Sequence, residues 1–402
     1  MIQRCVGAGH NSTRWFAMAM SLPMCDINLE GNDENLTDEE VDFRITKAKS
    51  ALGDKLLILG HHYQRDSIVK HADLLGDSFL LSKLAAESSS KLIVFCGVHF
   101  MAESADILSR DEQIVMMPNL RAGCSMADMA NLADVSECWH EILENLELDD
   151  PAMKDDPVRP ARNDEAYLVP ITYMNSSAKL KAFVGEHGGI VCTSSNAEGV
   201  LEWALERAGK QGKILFFPDQ HLGRNTGLDM GITEKEMAVW NPTELPDWER
   251  LDDAKLVLWH GYCSVHKRFT VEQINKFRKE HPESKIVIHP ECTNDVVKTA
   301  DAVGSTEFIR KYVEKMPDGT IIGVGTEINM VKRLDAMNPT KKVVCLDPLI
   351  CPCSTMYMIH PLFLMNLLEQ LVQGDIQNVV SVNKKVAKNA NIALQRMLSI
   401  PK

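Results

Sequence analysis

The chain of 402 residues is short of positive charge, of aromatic residues and of closely spaced cysteines. Its 43 Lys and Arg stand against 56 Asp and Glu, a formal net charge of −13. A phosphate-backbone binder needs a net basic face, so this balance argues against a nucleic-acid partner. Aromatics make up only 6%, too few for a base-stacking platform. No C-x-x-C occurs, which disfavours thioredoxin-type redox sites and zinc ribbons. The C-x-x-x-C-x-x-C spacing of radical enzymes and the bacterial ferredoxin run are missing too. No apolar run reaches the roughly 18 residues of a membrane span. The 11 cysteines are an odd number, so complete internal disulfide pairing is excluded. A chain of this length is also no small disulfide-stapled scaffold, and a reducing cytoplasm is the expected setting. Any metal centre must gather thiols from distant parts of the chain.

What is present is a repeated alternation. Met1 to Pro23 holds a short interrupted apolar stretch, read as an extension or an upstream start rather than a leader peptide. After the acidic lead-in Glu30 to Asp42 come ten apolar runs, starting at Lys55, Lys91, Gln113, Tyr167, Gly189, Lys213, Lys255, Lys285, Gly319 and Lys341. Each ends in a polar cluster, and helical patterns lie between them, as in Asp77 to Glu87, Ser176 to Glu186 and Glu198 to Gly209. Continuous rather than alternating runs predict strands covered on both faces. Alternating βα units predict parallel sheets, with ligands beyond the carboxyl ends of the strands. The runs fall into three groups, which predicts three similar α/β layers. No strong sequence period accompanies them. The expected division is an N-terminal extension over 1–40, a first α/β domain over 41–136 and a surface insertion over 137–165. A second α/β domain over 166–258 and a third over 259–402 follow.

The strand-end clusters carry the chemistry. Gly60-His-His-Tyr-Gln64 offers proton donors or an anion site, although a histidine pair is more often one packed and one solvated. In Gly76-Asp-Ser78 one residue is the helix cap, and Ser78 can hold a carboxylate or phosphate at the helix start. Cys124, after a Gly and before a helix, occupies a position that lowers a thiol pKa, though a free Cys is usually a small buried hydrophobe. Tyr173-Met-Asn175 and Thr193-Ser-Ser-Asn196 are anion sites or simple caps. Pro218 to Arg224 reads as a structural hinge. Gly261-Tyr-Cys-Ser-Val-His266, His289-Pro-Glu-Cys292 and Gly304-Ser-Thr306 follow, with Glu291 a candidate acid/base and His289 a candidate carboxylate ligand. Cys351 and Cys353 flank a proline. If the three layers converge, Cys124, Cys263 and one of Cys351 or Cys353 form a three-thiolate metal site. Three protein ligands would leave one iron of a [4Fe–4S] cluster open as a Lewis acid.

The ordered set GHHYQ, GDS, CGVHFMAESA, AGCSMAD, YMNSSA, CTSSNA, FFPDQHLGRN, GYCSVH, HPEC, VGSTE and CPCSTM resembles the quinolinate synthase (NadA) family in its long-chain form. The resemblance runs from about Lys55 to the C-terminal helices, apart from 137–165. It implies three α/β/α sandwich domains with parallel sheets in pseudo-threefold arrangement around a central active site. It implies a cytoplasmic transferase of NAD biosynthesis that condenses iminosuccinate with dihydroxyacetone phosphate to quinolinate, releasing phosphate and water. L-aspartate oxidase is the implied supplier of iminosuccinate. The implied cofactor is a [4Fe–4S] cluster on Cys124, Cys263 and Cys353, the second Cys of Cys-Pro-Cys being the ligand in long-chain members. The implied substrate residues are His61, Ser78, Tyr173, Met174, Asn175, Ser194, His289, Pro290, Glu291 and Thr306. Tyr63, Glu291 and His266 are implied in catalysis. The rivals are an aconitase-like cluster hydratase and a non-enzymatic iron–sulfur sensor.

Overall fold

The computed structural model describes residues 36–347 and 352–400. Most of the expected extension, with Cys5 and Cys25, and the alternative ligand Cys351 lie outside the described residues. All ten apolar runs are strands, and each sits in one of three sheets. The first sheet contains β1 (Leu56–His61), β2 (Leu74–Gly76), β3 (Leu92–Cys96) and β4 (Ile114–Met116). The second contains β5 (Leu168–Tyr173), β6 (Ile190–Cys192), β7 (Lys213–Phe217), β8 (Met237–Trp240) and β9 (Leu256–Trp259). The third contains β10 (Lys285–Ile288), β11 (Ala302–Val303), β12 (Ile321–Gly325) and β13 (Lys342–Cys345). A late strand, β14 (Val379–Val380), returns to the first sheet and pairs antiparallel with β4.

Every other pairing is parallel. Strands β1, β5 and β7 are buried along their whole length, as parallel strands with helices on both faces must be. The orders β14-β4-β3-β1-β2, β6-β5-β7-β9-β8 and β11-β10-β12-β13 bring the longer strands to the middle of each sheet. The expected fold, three parallel-sheet α/β regions in pseudo-threefold arrangement, is the one observed.

The first and third regions repeat each other residue by residue. His61 corresponds to His289, Lys70 to Lys298, Ala72 to Ala300, Asp73 to Asp301, Gly76 to Gly304 and Ser78 to Thr306. The contacts repeat as well. Asp73 accepts the N–H of Ile58 at 2.8 Å, and Asp301 accepts that of Ile286 at 2.7 Å. His61 Nδ1 accepts the N–H of Tyr63 at 3.1 Å, and His289 Nδ1 that of Glu291 at 3.4 Å. A sequence period was not expected. The identities are too few to stand out until the matching strands and caps align them.

The core is not shared equally. One continuous apolar cluster joins the first two regions and the C-terminal helices. The third region has two smaller clusters of its own, one containing Ile288 and the other Val287, adjacent residues of β10 that point to opposite faces of its sheet. After β13 the chain leaves that sheet. Helix Pro361–Val372 packs on helix Asp38–Leu52, and helix Lys384–Ser399 packs on helix Ala178–Glu186. The last contact is close because Gly185 lacks a side chain: a Cβ there would lie 2.0 Å from the Asn389 carbonyl. Leu394 and Met397 on that face are fully buried, worth roughly 1.5–3 kcal/mol each.

The boundary expected at 137 falls inside helix Leu132–Asn145. Its Cys138 and Trp139 are fully buried, and the Trp139 ring meets Phe183 edge-on at 5.5 Å. Asp150 further ties the segment down through His187 Nδ1 at 2.7 Å. Among the described residues no helix is long and apolar enough to cross a membrane.

Candidate active site and metal centre

The carboxyl ends of the three sheets face one pocket of about 760 Å³, mouth included. It is lined by His61, Tyr63, Ser78, Cys124, Tyr173, Asn175, Ser194, Cys263, His289, Glu291, Thr306 and Cys353, each singled out above. Apolar side chains such as Phe79, Phe100, Met101 and Met356 share the remaining wall with Asp77, Ser125, Thr193, Ser264 and Thr355.

The three cysteines arrive on the same local device. Each opens a single helical turn: Ala127–Met129, His266–Arg268 and Ser354–Tyr357. Each carbonyl accepts the N–H four residues on, with Cys124 bonded to Asp128, Cys263 to Lys267 and Cys353 to Tyr357. The backbone N–H three residues on, of Ala127, His266 and Met356, favours the ionised form of each thiol. The expectation that this position lowers the Cys124 pKa is not met. Burial pushes Cys124 up to about 12, and the two N–H donors offset only part of that. Burial likewise raises Cys263 and Cys353; Cys353 also raises Cys124, and both of these raise Cys263. Three half-buried cysteines that line one pocket fit a soft cationic centre, which would hold all three as thiolates.

Two of the three cysteine loops are fixed by buried carboxylates. Asp219 caps helix Gln220–Asp229 and accepts the Cys263 N–H at 3.1 Å. Glu327 caps helix Ile328–Met337 and accepts the Cys353 N–H at 3.4 Å. Burial raises both carboxyls, Glu327 to about 7. The Pro218 to Arg224 cluster, read as a hinge, thus supplies a support for a cysteine.

Beside the sulfurs runs a chain of hydrogen bonds drawn from all three regions. Tyr173 Oη donates to Glu291 Oε1 at 2.6 Å. Glu291 Oε2 meets His266 Nδ1 at 2.8 Å. His266 Nε2 lies 3.1 Å from Thr326 Oγ1 and 3.3 Å from Tyr63 Oη. Tyr63 Oη and Thr326 Oγ1 are 2.7 Å apart. Burial alone would raise Glu291, yet His289, His266 and the bond from Tyr173 hold it well below the usual carboxylate range. An ionised Glu291 accepts, so His266 donates to it through Nδ1. Burial, and then the Glu291 charge, push both tyrosines well above their ordinary pKa. His289 stacks on His266 at 4.3 Å and is neutral, burial lowering it to about 3. Burial also keeps His61 neutral. Cys263, His266 and Glu291 bring ligand atoms within 4.8 Å of one another, a group able to coordinate a metal ion.

Three helix starts border the same space. Asp77 is the cap of helix Ser78–Glu87, accepting the Leu80 N–H at 2.8 Å, which leaves Ser78 free to face the pocket. Ser305 caps helix Thr306–Lys315 in the same way, behind Thr306. Asn196 stands before helix Ala197–Ala208 and accepts from Thr193 N at 2.8 Å, beside Ser194. Such starts present partial positive charge to anions.

Three named residues do not line the pocket. His266 is buried and meets Glu291 Oε2 through Nδ1. Met174 is fully buried, and its carbonyl accepts from Lys181 Nζ at 2.8 Å. The Pro290 carbonyl accepts from Asn225 Nδ2 at 2.8 Å. Thr326 was missed; its place directly after β12, at a strand end like the others, is the signal that could have found it.

Comparisons with known proteins place the chain in a family. The model of the quinolinate synthetase A protein family matches residues 43–399. The chain belongs to the quinolinate synthase family. A quinolinate synthase of Corynebacterium glutamicum is 54% identical over 371 residues, covering 91% of this chain and 89% of its own. One of Herpetosiphon aurantiacus is 49% identical, covering 91% and 94%. One of Listeria monocytogenes is 46% identical, covering 91% and 95%.

Proposed function

We propose that this chain is a quinolinate synthase, a transferase that condenses iminosuccinate with dihydroxyacetone phosphate and releases phosphate and water. The observation that carries the reading is the meeting of three thiols, one from each region, with the Tyr173–Glu291–His266–Tyr63 chain in one pocket. Cys124, Cys263 and Cys353 would hold a [4Fe–4S] cluster, which supplies Lewis-acid polarisation of substrate when bound.

The remaining chemistry belongs to the protein's own groups. The substrates carry two carboxylates and a phosphate, and three helix starts, at Ser78, Ser194 and Thr306, border the pocket. These bind anions without Lys or Arg, so the net charge of −13 is no obstacle. Neutral His61 and His289 donate hydrogen bonds without adding charge. Glu291 is the base, held ionised against its burial, and Tyr63 is the acid, held protonated. His266 links them: its Nδ1–H stays on Glu291 while Nε2 takes and returns a proton at Tyr63 Oη. Tyr173 holds the second oxygen of Glu291 and so its orientation. The apolar wall limits the water that reaches these groups. The cytoplasm is the setting that suits an oxygen-sensitive centre of this kind.

The test is an anaerobic assay of purified protein with both substrates. Quinolinate and phosphate are expected in equal amounts. No quinolinate from protein with a full complement of iron and sulfide rejects the reading.

A further inference from the structure

The loops that carry Tyr63 and Glu291 are held by side chains from the neighbouring region. Arg333, on helix Ile328–Met337 of the third region, donates to the His62 carbonyl and, at 3.1 Å, to the Gln64 carbonyl. Its third contact is Asp66 Oδ1 at 2.8 Å. Asn225, on helix Gln220–Asp229 of the second region, donates to the Pro290 and Cys292 carbonyls, both at 2.8 Å. Its oxygen accepts from Asn294 Nδ2 at 2.9 Å. In the repeat, His62 matches Pro290, Gln64 matches Cys292 and Asp66 matches Asn294. Arg333 and Asn225 therefore make the same three contacts at equivalent places. Both occupy the sixth position of a ten-residue helix that follows the third region's β12 or the second region's β7. The first region's counterpart is Ser104, the sixth residue of helix His99–Leu108 after β3. Ser104 bonds the Phe100 carbonyl of its own helix at 2.8 Å and, across to the second region, the Met174 sulfur at 3.4 Å. There the two carbonyls around Asn175 are taken instead by the buried ammonium of Lys181, at 2.8 and 2.5 Å.

We infer that Arg333 and Asn225 are positioning residues that fix Tyr63 and Glu291 by pinning the carbonyls on either side of each. The inference rests on the function proposed above and adds to it the residues that set the geometry of its acid and base. Two considerations make the contacts more than general packing. Each clamp crosses from one region to another, first region to third and third region to second. The third region does not share the continuous apolar core of the other two, so polar contacts of this kind set where its loops stand. A shift of about 1 Å in a reacting group costs on the order of a hundredfold in rate.

The experiment uses the iron-loaded full chain. Asn225→Asp keeps the size but turns the donor into an acceptor facing two carbonyls; Arg333→Met removes all three bonds at a partly exposed position. Each is expected to lower kcat by about 10- to 100-fold, with KM for dihydroxyacetone phosphate within about threefold and iron content unchanged. Arg333→Lys, which keeps a donor, is expected to recover about tenfold over Arg333→Met. Amide hydrogen exchange of the free protein supplies a readout independent of turnover. Exchange is expected to quicken in residues 289–294 for Asn225→Asp and in 61–66 for Arg333→Met, each without effect on the other loop. Unchanged exchange in the clamped loop, or a fall in kcat that only follows lost iron or a lowered Tm, overturns the inference. If the parent protein forms no quinolinate, the proposed function fails while the exchange measurements still decide the clamps.

Discussion

Tyr63 and Glu291 occupy the same place in a repeated backbone and carry opposite chemistry. Each follows the first strand of its sheet, each donates its N–H to the histidine two residues back, and each is pinned from a neighbouring region. Yet burial raises the tyrosine, while His289, His266 and Tyr173 overcome burial to lower the carboxyl. A repeated scaffold thus places a protonated tyrosine and an ionised carboxylate at matched positions. The cysteines make the contrast sharper. Cys124 and Cys353 follow the matching strands β4 and β13, one residue out of the repeat's register, and here the two copies carry the same residue.

That sameness can be broken most severely. Cys124→Ala and Cys353→Ala, purified anaerobically, are each expected to lose essentially all bound iron and sulfide and all quinolinate formation. Cys351→Ala is expected to keep both. Iron retained by the Cys353→Ala protein and lost by the Cys351→Ala protein would move the third ligand to Cys351.

The difference between Tyr63 and Glu291 comes next in size. Glu291→Gln and Tyr63→Phe are expected to reduce kcat by about 10²- to 10⁴-fold with the cluster intact. Glu291→Gln is expected to cost more, because it also disturbs the bonds to Tyr173 and His266, whereas Tyr63→Phe removes one hydroxyl from the end of the chain. Equal, small effects in steady-state kinetics would end the acid–base assignment.

Much of this was legible in the residues, and the remainder was not for identifiable reasons. The strands buried on both faces announce themselves as continuous apolar runs. The strands that escaped notice, β2, β8, β11 and β14, are short and all lie at sheet edges. An edge strand is paired on one side only and needs little apolar sequence. Cys124, Cys263, His289 and Glu291 could be found because chemistry-bearing residues at strand ends are conspicuous. Asn225, Arg333 and Lys181 could not, since a polar residue within a helix reads as a solvated face. What makes each functional is a carbonyl pair from another segment, and such a partner has no local signature.

The smallest effect concerns His289 and acid stability. Burial lowers its pKa to about 3, against an ordinary value of 6.5. Between those values the unfolded chain binds a proton that the folded chain refuses, so stability falls as pH drops through 6.5 toward 3. From pH 7 to 5 the loss at one such site is roughly 2 kcal/mol. His289→Asn cannot take up that proton in either state. Its urea unfolding free energy is expected to lose less over the same interval than that of the parent protein, by about that amount. Parallel pH profiles for the two would mean that His289 is charged in the folded state. It could not then stand as a neutral donor opposite His61, and the resemblance between the two histidines would be one of backbone alone.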